Sequence, residues 1–230
     1  FEQRRIDEGN FYASKDNEYP TLSGGKRRIN WGWATVPPAS TQTLPREITF
    51  NAAARALQQY PIDELKSLRG EAAYNKEGVS VAGDVAMGLD AGVARQSEVV
   101  VLFELPQAAG SFGVSVGDGG DGGAAAVECT VDYTPGATTV PVECGGTKDT
   151  LTLLPSESQL ELRLFFDWTF VEAYFQRGRV AITKTAAIGA SDDVWLHGPS
   201  ATVRADATAY PIKSIWVDAG TVRSAPRVYH

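Results

Sequence analysis

The chain has 230 residues, enough for one large or two modest domains. Its formal net charge of -7 disfavours DNA and other polyanionic partners, and no apolar run is long enough to span a membrane. The sequence opens at Phe1 without a signal-peptide pattern and holds a single methionine, Met87, which favours a fragment or a processed product over a complete gene product.

The first sixty residues are predicted to form short β-strands separated by Gly, Pro, Asn and Asp. Successive side chains of a strand point to opposite faces, so Phe11 and Tyr12 must face opposite ways. At most one of these two rings can therefore line a given surface.

Residues 62–69 form the one segment with a helical pattern. Pro61 suits the start of a helix and Gly70 suits its end. Ile62, Leu65 and Leu68 recur at three-residue spacing, which predicts a narrow apolar stripe that docks on a neighbouring domain. We place a domain boundary near residue 70.

The remainder is predicted to be an antiparallel β-sandwich large enough for its own core. Residues 159–164 alternate between leucines and charged side chains, and the strands expected at 170–175 and 180–183 continue a three-strand meander. Two closing strands are expected at 202–206 and 212–217. A glycine- and aspartate-rich loop at 116–123 resembles a calcium loop only in part, because its pattern of liganding residues is incomplete.

Two cysteines flank a turn signal at residues 133–137. If the hairpin is centred between Gly136 and Ala137, Cys129 faces Cys144 across it. The pair then forms either a cross-strand disulfide, which suits an oxidising compartment, or two reduced, half-buried thiols.

Five sequence segments in this order resemble the C-terminal half of glycoside hydrolase family 32, which contains invertases, inulinases and fructan hydrolases. The segments are residues 7–15, 28–33, 43–47, 61–69 and 167–175. The resemblance implies an all-β chain in which residues 1–60 end a five-bladed β-propeller as its last blade. It further implies a short helical connector at 61–70 and a β-sandwich domain at 71–230.

Hydrolysis of a glycosidic bond usually requires two carboxyl groups that flank the bond. The family's aspartate nucleophile belongs to an N-terminal motif that does not occur in this sequence. Two Glu-Cys pairs, at 128–129 and 143–144, match the family's acid/base motif but follow the 7–15 segment instead of preceding it, so we interpret them as coincidental. We therefore predict no catalytic residue in this chain, no metal ligand and no cofactor; His197 is expected to be a loop or surface histidine.

Three residues are predicted to contact substrate through the resemblance: Asp7, Tyr12 and Trp33. Aromatic rings suit sugars because a ring face packs on the C–H face of the sugar. Two of them also have a structural alternative, Trp33 as a core tryptophan and Asp7 as an acceptor of backbone hydrogen bonds. In the 167–175 segment Trp168 stands where relatives usually carry Arg, and Glu172 is expected to face outward or to pair across the strand.

The sequence therefore predicts the C-terminal portion of a glycosidase that hydrolyses fructosyl linkages in sucrose or fructans. Its expected partners are that substrate and the missing N-terminal propeller blades, with no nucleic acid and no membrane. The resemblance favours an extracellular or vacuolar location. The alternatives are a carbohydrate-binding, lectin-like sandwich and a purely structural one.

Overall fold

A computed structural model describes residues 5–21, 23–117 and 125–226. Within these ranges the chain is all-β, as predicted, with two antiparallel sheets. Most of the glycine-rich loop, residues 118–123, lies outside the described residues. No helix among the described residues is long and apolar enough to cross a membrane.

The smaller, N-terminal sheet has five strands in the order β1-β2-β4-β5, with the short β3 paired to β2. A turn at Gly24 and a turn that begins after Asn51 separate strands of this sheet, and Asn51 Oδ1 accepts from the Ala54 N–H in the second turn. Its strands are β1 (Phe11–Pro20), β2 (Lys26–Ala34), β3 (Thr41–Gln42), β4 (Arg46–Asn51) and β5 (Ala56–Pro61).

The larger sheet has ten strands in the order β11-β10-β9-β8-β15-β7-β12-β13-β14, with β6 paired to β15. The two end strands of this sheet, β11 and β14, approach each other. Lys184 Nζ on β14 donates to Thr147 Oγ1 on β11 at 3.0 Å. The sheet is therefore nearly closed. Its strands are β6 (Tyr74–Ala86), β7 (Gln96–Glu104), β8 (Gly110–Gly117), β9 (Ala125–Tyr133), β10 (Thr139–Cys144), β11 (Thr147–Thr152), β12 (Gln159–Asp167), β13 (Phe170–Phe175), β14 (Val180–Thr185) and β15 (Asp193–Pro211).

The main core fills the inside of the larger sheet. Leu160, Leu162 and Leu164 are fully buried there, as their alternation predicted. The predicted meander is also confirmed, because β12 pairs with β13 and β13 pairs with β14 in continuous register. Apolar burial of this kind is the largest favourable term in folding.

The cysteine hairpin has the register predicted for it. Cys144 pairs with Cys129 and Val142 with Val131, and the two cysteines form a disulfide. Gly136 takes a φ of +77° in the turn, a conformation that glycine adopts without a steric penalty.

The connector between the sheets is a 3₁₀ helix, Asp63–Leu68. A 3₁₀ helix has three residues per turn, which explains why the apolar residues recur at three-residue spacing. Leu65 is buried against Phe165 and Tyr174 of the larger sheet. The segment therefore docks through the predicted stripe.

The expectation of a closing strand at 212–217 was wrong. Ile212 makes a single bridge to Arg69, and Ile215 and Trp216 are exposed. The preceding strand β15 pairs with β6, β7 and β8 along its 19 residues, so it completes this part of the sheet itself. A short α-helix, Ala219–Ser224, follows.

Candidate functional site

A buried ion network joins the two sheets. Arg46 on β4 donates from Nη1 to Asp7 Oδ2 at 2.9 Å and from Nη2 to Glu172 Oε2 on β13 at 2.7 Å. Nη2 also donates to Thr183 Oγ1 on β14 at 2.8 Å. All three charged side chains are buried, so each charge depends on the others for compensation.

The network is closed by backbone groups and aromatic rings. Glu172 accepts from the Leu44 backbone N–H and from the Tyr174 hydroxyl, both at 2.7 Å. The Arg46 guanidinium lies between the rings of Phe11 and Tyr174, at 4.6 and 5.0 Å. Burial alone would lower the pKa of Arg46, but Tyr174, Glu172 and Asp7 hold that pKa above its ordinary value. Arg46 is a permanent cation in this setting.

One sequence expectation is corrected by this network. Arg46 is fully buried, and two carboxylates neutralise it. Glu172 was expected to face outward or to pair within its sheet, and it instead pairs with a residue 126 positions away. Asp7 accepts hydrogen bonds from the backbone N–H groups of Gly9 and Thr183, at 2.8 and 2.9 Å. Its carboxylate therefore lies inside the contact between the sheets.

The two faces of β1 and β2 have different roles. On the inner face Phe11 packs directly over Gly32, where a Cβ would lie 2.2 Å from the ring, so only glycine fits. On the outer face Tyr12 pairs with Trp33 across the strands, and these rings are 67% and 55% exposed. Phe11 and Tyr12 thus face opposite ways, as their alternation predicted.

An open cavity of about 370 Å³ lies on this outer face. Its apolar lining is provided mainly by the indoles of Trp31 and Trp33, and Tyr19 supports Trp31 with an edge contact at 5.8 Å. Indole faces pack on the C–H groups of sugars, whereas ammonium, amide and hydroxyl groups bind sugar hydroxyls. The cavity offers such polar groups on Lys15, Ser40, Thr41 and Gln42.

The structure brings together two of the three predicted contact residues. Tyr12 and Trp33 are cross-strand neighbours on the exposed face, and Trp33 lines the cavity. Asp7 is separated from them, because its side chain is fully buried beside Arg46. Trp31 and Lys15, which also line the cavity, were not singled out from the sequence, although alternation places Trp31 on the same face as Trp33.

His197 was expected to be a loop or surface histidine, but it belongs to a strand and is only partly exposed. It lies in β15, where Nδ1 is 2.7 Å from Asp84 Oδ1 on β6 and Nε2 is 2.6 Å from Ser115 Oγ on β8. Sequence reasoning missed the arrangement because the three residues come from strands far apart in the chain. Ser115 is only 4% exposed, so its hydroxyl is not presented to a ligand. The row of hydrogen bonds links three strands.

The Glu-Cys pairs lie on the hairpin that carries the disulfide. Glu143 is 3.4 Å from Lys148, its neighbour on β11, and Glu128 is exposed on β9. Across the described ranges no group of three His, Cys, Asp or Glu side chains is arranged to hold a metal ion.

Comparisons with known proteins agree with this architecture. The family described as "Glycosyl hydrolases family 32 C terminal" matches residues 64–186, more than half of the chain. The beta-fructofuranosidase CWINV6 of Arabidopsis thaliana is 32% identical over 112 residues, which cover 44% of this chain and 20% of that protein. A fructan 1-exohydrolase of Bromus pictus is 37% identical over 115 residues, which cover 44% of this chain and 18% of that protein.

Solved structures share the fold. Fructan 1-exohydrolase IIa of Cichorium intybus superposes with a TM-score of 0.76 at 18% identity, covering 92% of this chain and 49% of that one. Exo-inulinase of Aspergillus awamori superposes with a TM-score of 0.69, also at 18% identity, covering 92% of this chain and 45% of that one. The matched part of the chain thus spans about half the length of these structures and about a fifth of the curated relatives. From the family match and the shared fold, this chain belongs to glycosyl hydrolase family 32, in its C-terminal part.

Proposed function

We propose that this chain is the C-terminal portion of a glycosidase that hydrolyses fructosyl linkages in sucrose or fructans. The names of its relatives support this substrate class, since they are beta-fructofuranosidases and fructan exohydrolases. In this proposal the N-terminal sheet is the last blade of a propeller, residues 61–70 are the connector and residues 71–230 are the sandwich. The superposition over 92% of the chain supports such a layout.

The chain contributes sugar contacts, and the two reacting carboxyl groups belong to upstream blades. Trp33 and Tyr12 provide exposed ring faces, and Lys15 and Gln42 provide polar groups beside them. Asp7 acts indirectly, by holding Arg46 and thereby the position of β4 relative to the sandwich. This chain then binds sugar without cleaving it.

One observation carries the proposal: two tryptophans line one open cavity on the exposed face of the N-terminal sheet. Contiguous apolar surface that is rimmed by polar residues marks interaction sites, ligand-binding grooves among them. The mixture of ring faces with hydroxyl, amide and ammonium groups fits a sugar better than a wholly apolar ligand.

The alternative of a free-standing sandwich fits the structure less well. Glu172 and Tyr174 of the sandwich are buried against Arg46 of the N-terminal sheet. A sandwich without that sheet would leave the carboxylate of Glu172 without its cation.

Saturation-transfer NMR with the trisaccharide 1-kestose tests the proposal. We expect transfer from the wild-type chain to the sugar, and its loss in Trp33→Ala. Phe50→Ala is the matched control, because Phe50 is an exposed aromatic residue of the same sheet, 64% accessible, outside the cavity. Equal transfer in all three proteins, or none in the wild type, would contradict the proposal.

A further inference from the structure

Trp168 is a second exposed indole, located on the sandwich in the turn between β12 and β13. It is 49% exposed and has a φ of +53°, which is unusual for a bulky residue and carries a conformational cost. Neighbouring backbone groups fix this conformation. The Trp168 N–H donates to the Arg95 carbonyl at 2.7 Å, and the Ile188 N–H donates to the Trp168 carbonyl at 3.1 Å.

The ring itself is also held in place. The Arg95 guanidinium lies over it at 3.6 Å from the ring centre, and the indole Nε1–H donates to Gln96 Oε1 at 3.1 Å. One face of the indole is therefore covered by a cation while the other remains open to solvent. An immobilised ring loses little entropy when a ligand stacks on it.

Polar groups surround the ring. Asp167 is the register partner of Gln96, so its carboxylate and the Gln96 amide project from the same face of this strand pair. Arg95 Nε is buried and has no hydrogen-bond acceptor among the described residues. An open ring face with a carboxylate, an amide and a guanidinium beside it matches the alternating C–H and hydroxyl surface of a sugar.

The patch adjoins the cavity of the N-terminal sheet. Thr169, the residue after Trp168, donates through Oγ1 to the Pro37 carbonyl at 2.7 Å. The loop that contains Pro37 continues to Ser40, which lines the cavity. This loop therefore contacts the turn that carries Trp168 at Pro37 and lines the cavity at Ser40.

We infer that Trp168 is a second sugar-contact residue, which binds a distant unit of a fructan polymer whose end occupies the Trp33 cavity. The choice of fructan rests on the proposed function, whereas the stacking site rests on Trp168, Arg95 and Gln96. Polymer binding then requires both tryptophans, and binding of a short sugar requires only Trp33.

Affinity electrophoresis of the 230-residue chain in gels containing inulin tests this inference. Trp168→Gly is the main variant, because glycine adopts positive φ without strain and the turn is expected to fold. We expect a roughly tenfold weaker retention by inulin, the scale of one aromatic stacking contact. Trp216→Ala is the matched control, an 87% exposed tryptophan in the C-terminal segment, and should behave as wild type.

The outcomes separate the inference from the proposed function. Loss of inulin retention in Trp168→Gly, with unchanged saturation transfer to 1-kestose, supports the inference. Wild-type retention of Trp168→Gly overturns it, whether or not Trp33→Ala abolishes 1-kestose binding. Equal weakening in Trp168→Gly and Trp216→Ala also overturns it, because that result indicates non-specific contact with exposed indoles.

Discussion

Arg46 and Glu172 are 126 residues apart in the sequence, yet Arg46 Nη2 donates to Glu172 Oε2 at 2.7 Å with both side chains buried. One residue belongs to the N-terminal sheet and the other to the sandwich. Their contact fixes how the two sheets meet, and it lies on the face of β1 and β2 opposite to the cavity lined by Trp31 and Trp33. The two tryptophans are thus supported from behind by a buried, charged contact.

Replacing Arg46 should destabilise the fold strongly. Arg46→Ala leaves the carboxylates of Asp7 and Glu172 buried without a cation, which costs roughly 3–5 kcal/mol. Arg28→Ala is the matched control, since its ion pair with Asp16 is exposed and contributes at most about 1 kcal/mol. Urea denaturation of both variants gives the comparison. Similar losses of stability in the two variants would show that the buried network is not what joins the sheets.

The connector should contribute to stability through a single leucine. Leu65 is buried against Phe165 and Tyr174, so Leu65→Ala removes apolar contacts and leaves a cavity that costs about 2–5 kcal/mol. Leu57→Ala on β5 serves as the control, because Leu57 is 51% exposed. Chemical denaturation measures both. If Leu65→Ala keeps the wild-type midpoint, the connector is only a linker.

Removing the disulfide should lower stability without changing the fold. Cys129 and Cys144 close a loop with a sequence separation of 15, and a cross-link of this length contributes roughly 3 kcal/mol by restricting the unfolded chain. A variant with both cysteines replaced by alanine should melt at a lower temperature than wild type. Reductant should lower the melting temperature of the wild type and leave the variant unchanged. A wild type that is insensitive to reductant would argue against the bond.

Tyr60 should make the fold sensitive to alkali. Burial, followed by the nearby Glu161 carboxylate, raises the pKa of Tyr60 from 10.0 to about 12. Between these values the unfolded chain loses the phenol proton while the folded chain keeps it. The contribution of this group to stability is therefore complete below pH 10 and is lost as the pH rises to about 12.

Denaturation across this pH window tests the assignment to Tyr60. Tyr60→Phe should lose less stability on going to alkaline pH than the wild type does. The exposed Tyr12 provides the control, and Tyr12→Phe should lose as much as wild type. Identical pH profiles for all three proteins would exclude a role for Tyr60 in the alkaline response.

Local patterns in the sequence predicted much of the fold. The alternation of Leu160, Leu162 and Leu164 identified a core strand, and the turn at Gly136 fixed the register that brings Cys129 and Cys144 together. Both signals operate between residues that are close in the chain. The three-residue spacing around Leu65 likewise located the connector, although its spacing fits a 3₁₀ helix and not an α-helix.

Contacts between distant residues could not be predicted in this way. Nothing near Arg46 in the sequence indicates that Glu172 will neutralise it, and Glu172 was expected to face outward or to pair across the strand. The same reason explains why the hydrogen bonds of His197 were not predicted, since Asp84 and Ser115 come from other strands. The exposure of Tyr12 and the burial of Asp7 also depend on which face of β1 meets the sandwich.

The most direct test of the central claim is a titration of the ¹⁵N-labelled chain with 1-kestose. Binding is observed through the NMR signals of the tryptophan indole N–H groups. Free fructose is measured in the same sample. Maltotriose, a glucose trisaccharide of the same length, is the control ligand. We expect the signals of Trp31 and Trp33 to shift with 1-kestose but much less with maltotriose, and we expect 1-kestose to remain intact. If the shifts are absent, or are equal with the two sugars, this chain does not bind fructosyl sugars selectively. If fructose is released and the release disappears in Glu143→Gln, catalysis does not belong to upstream blades. Either result would contradict the account.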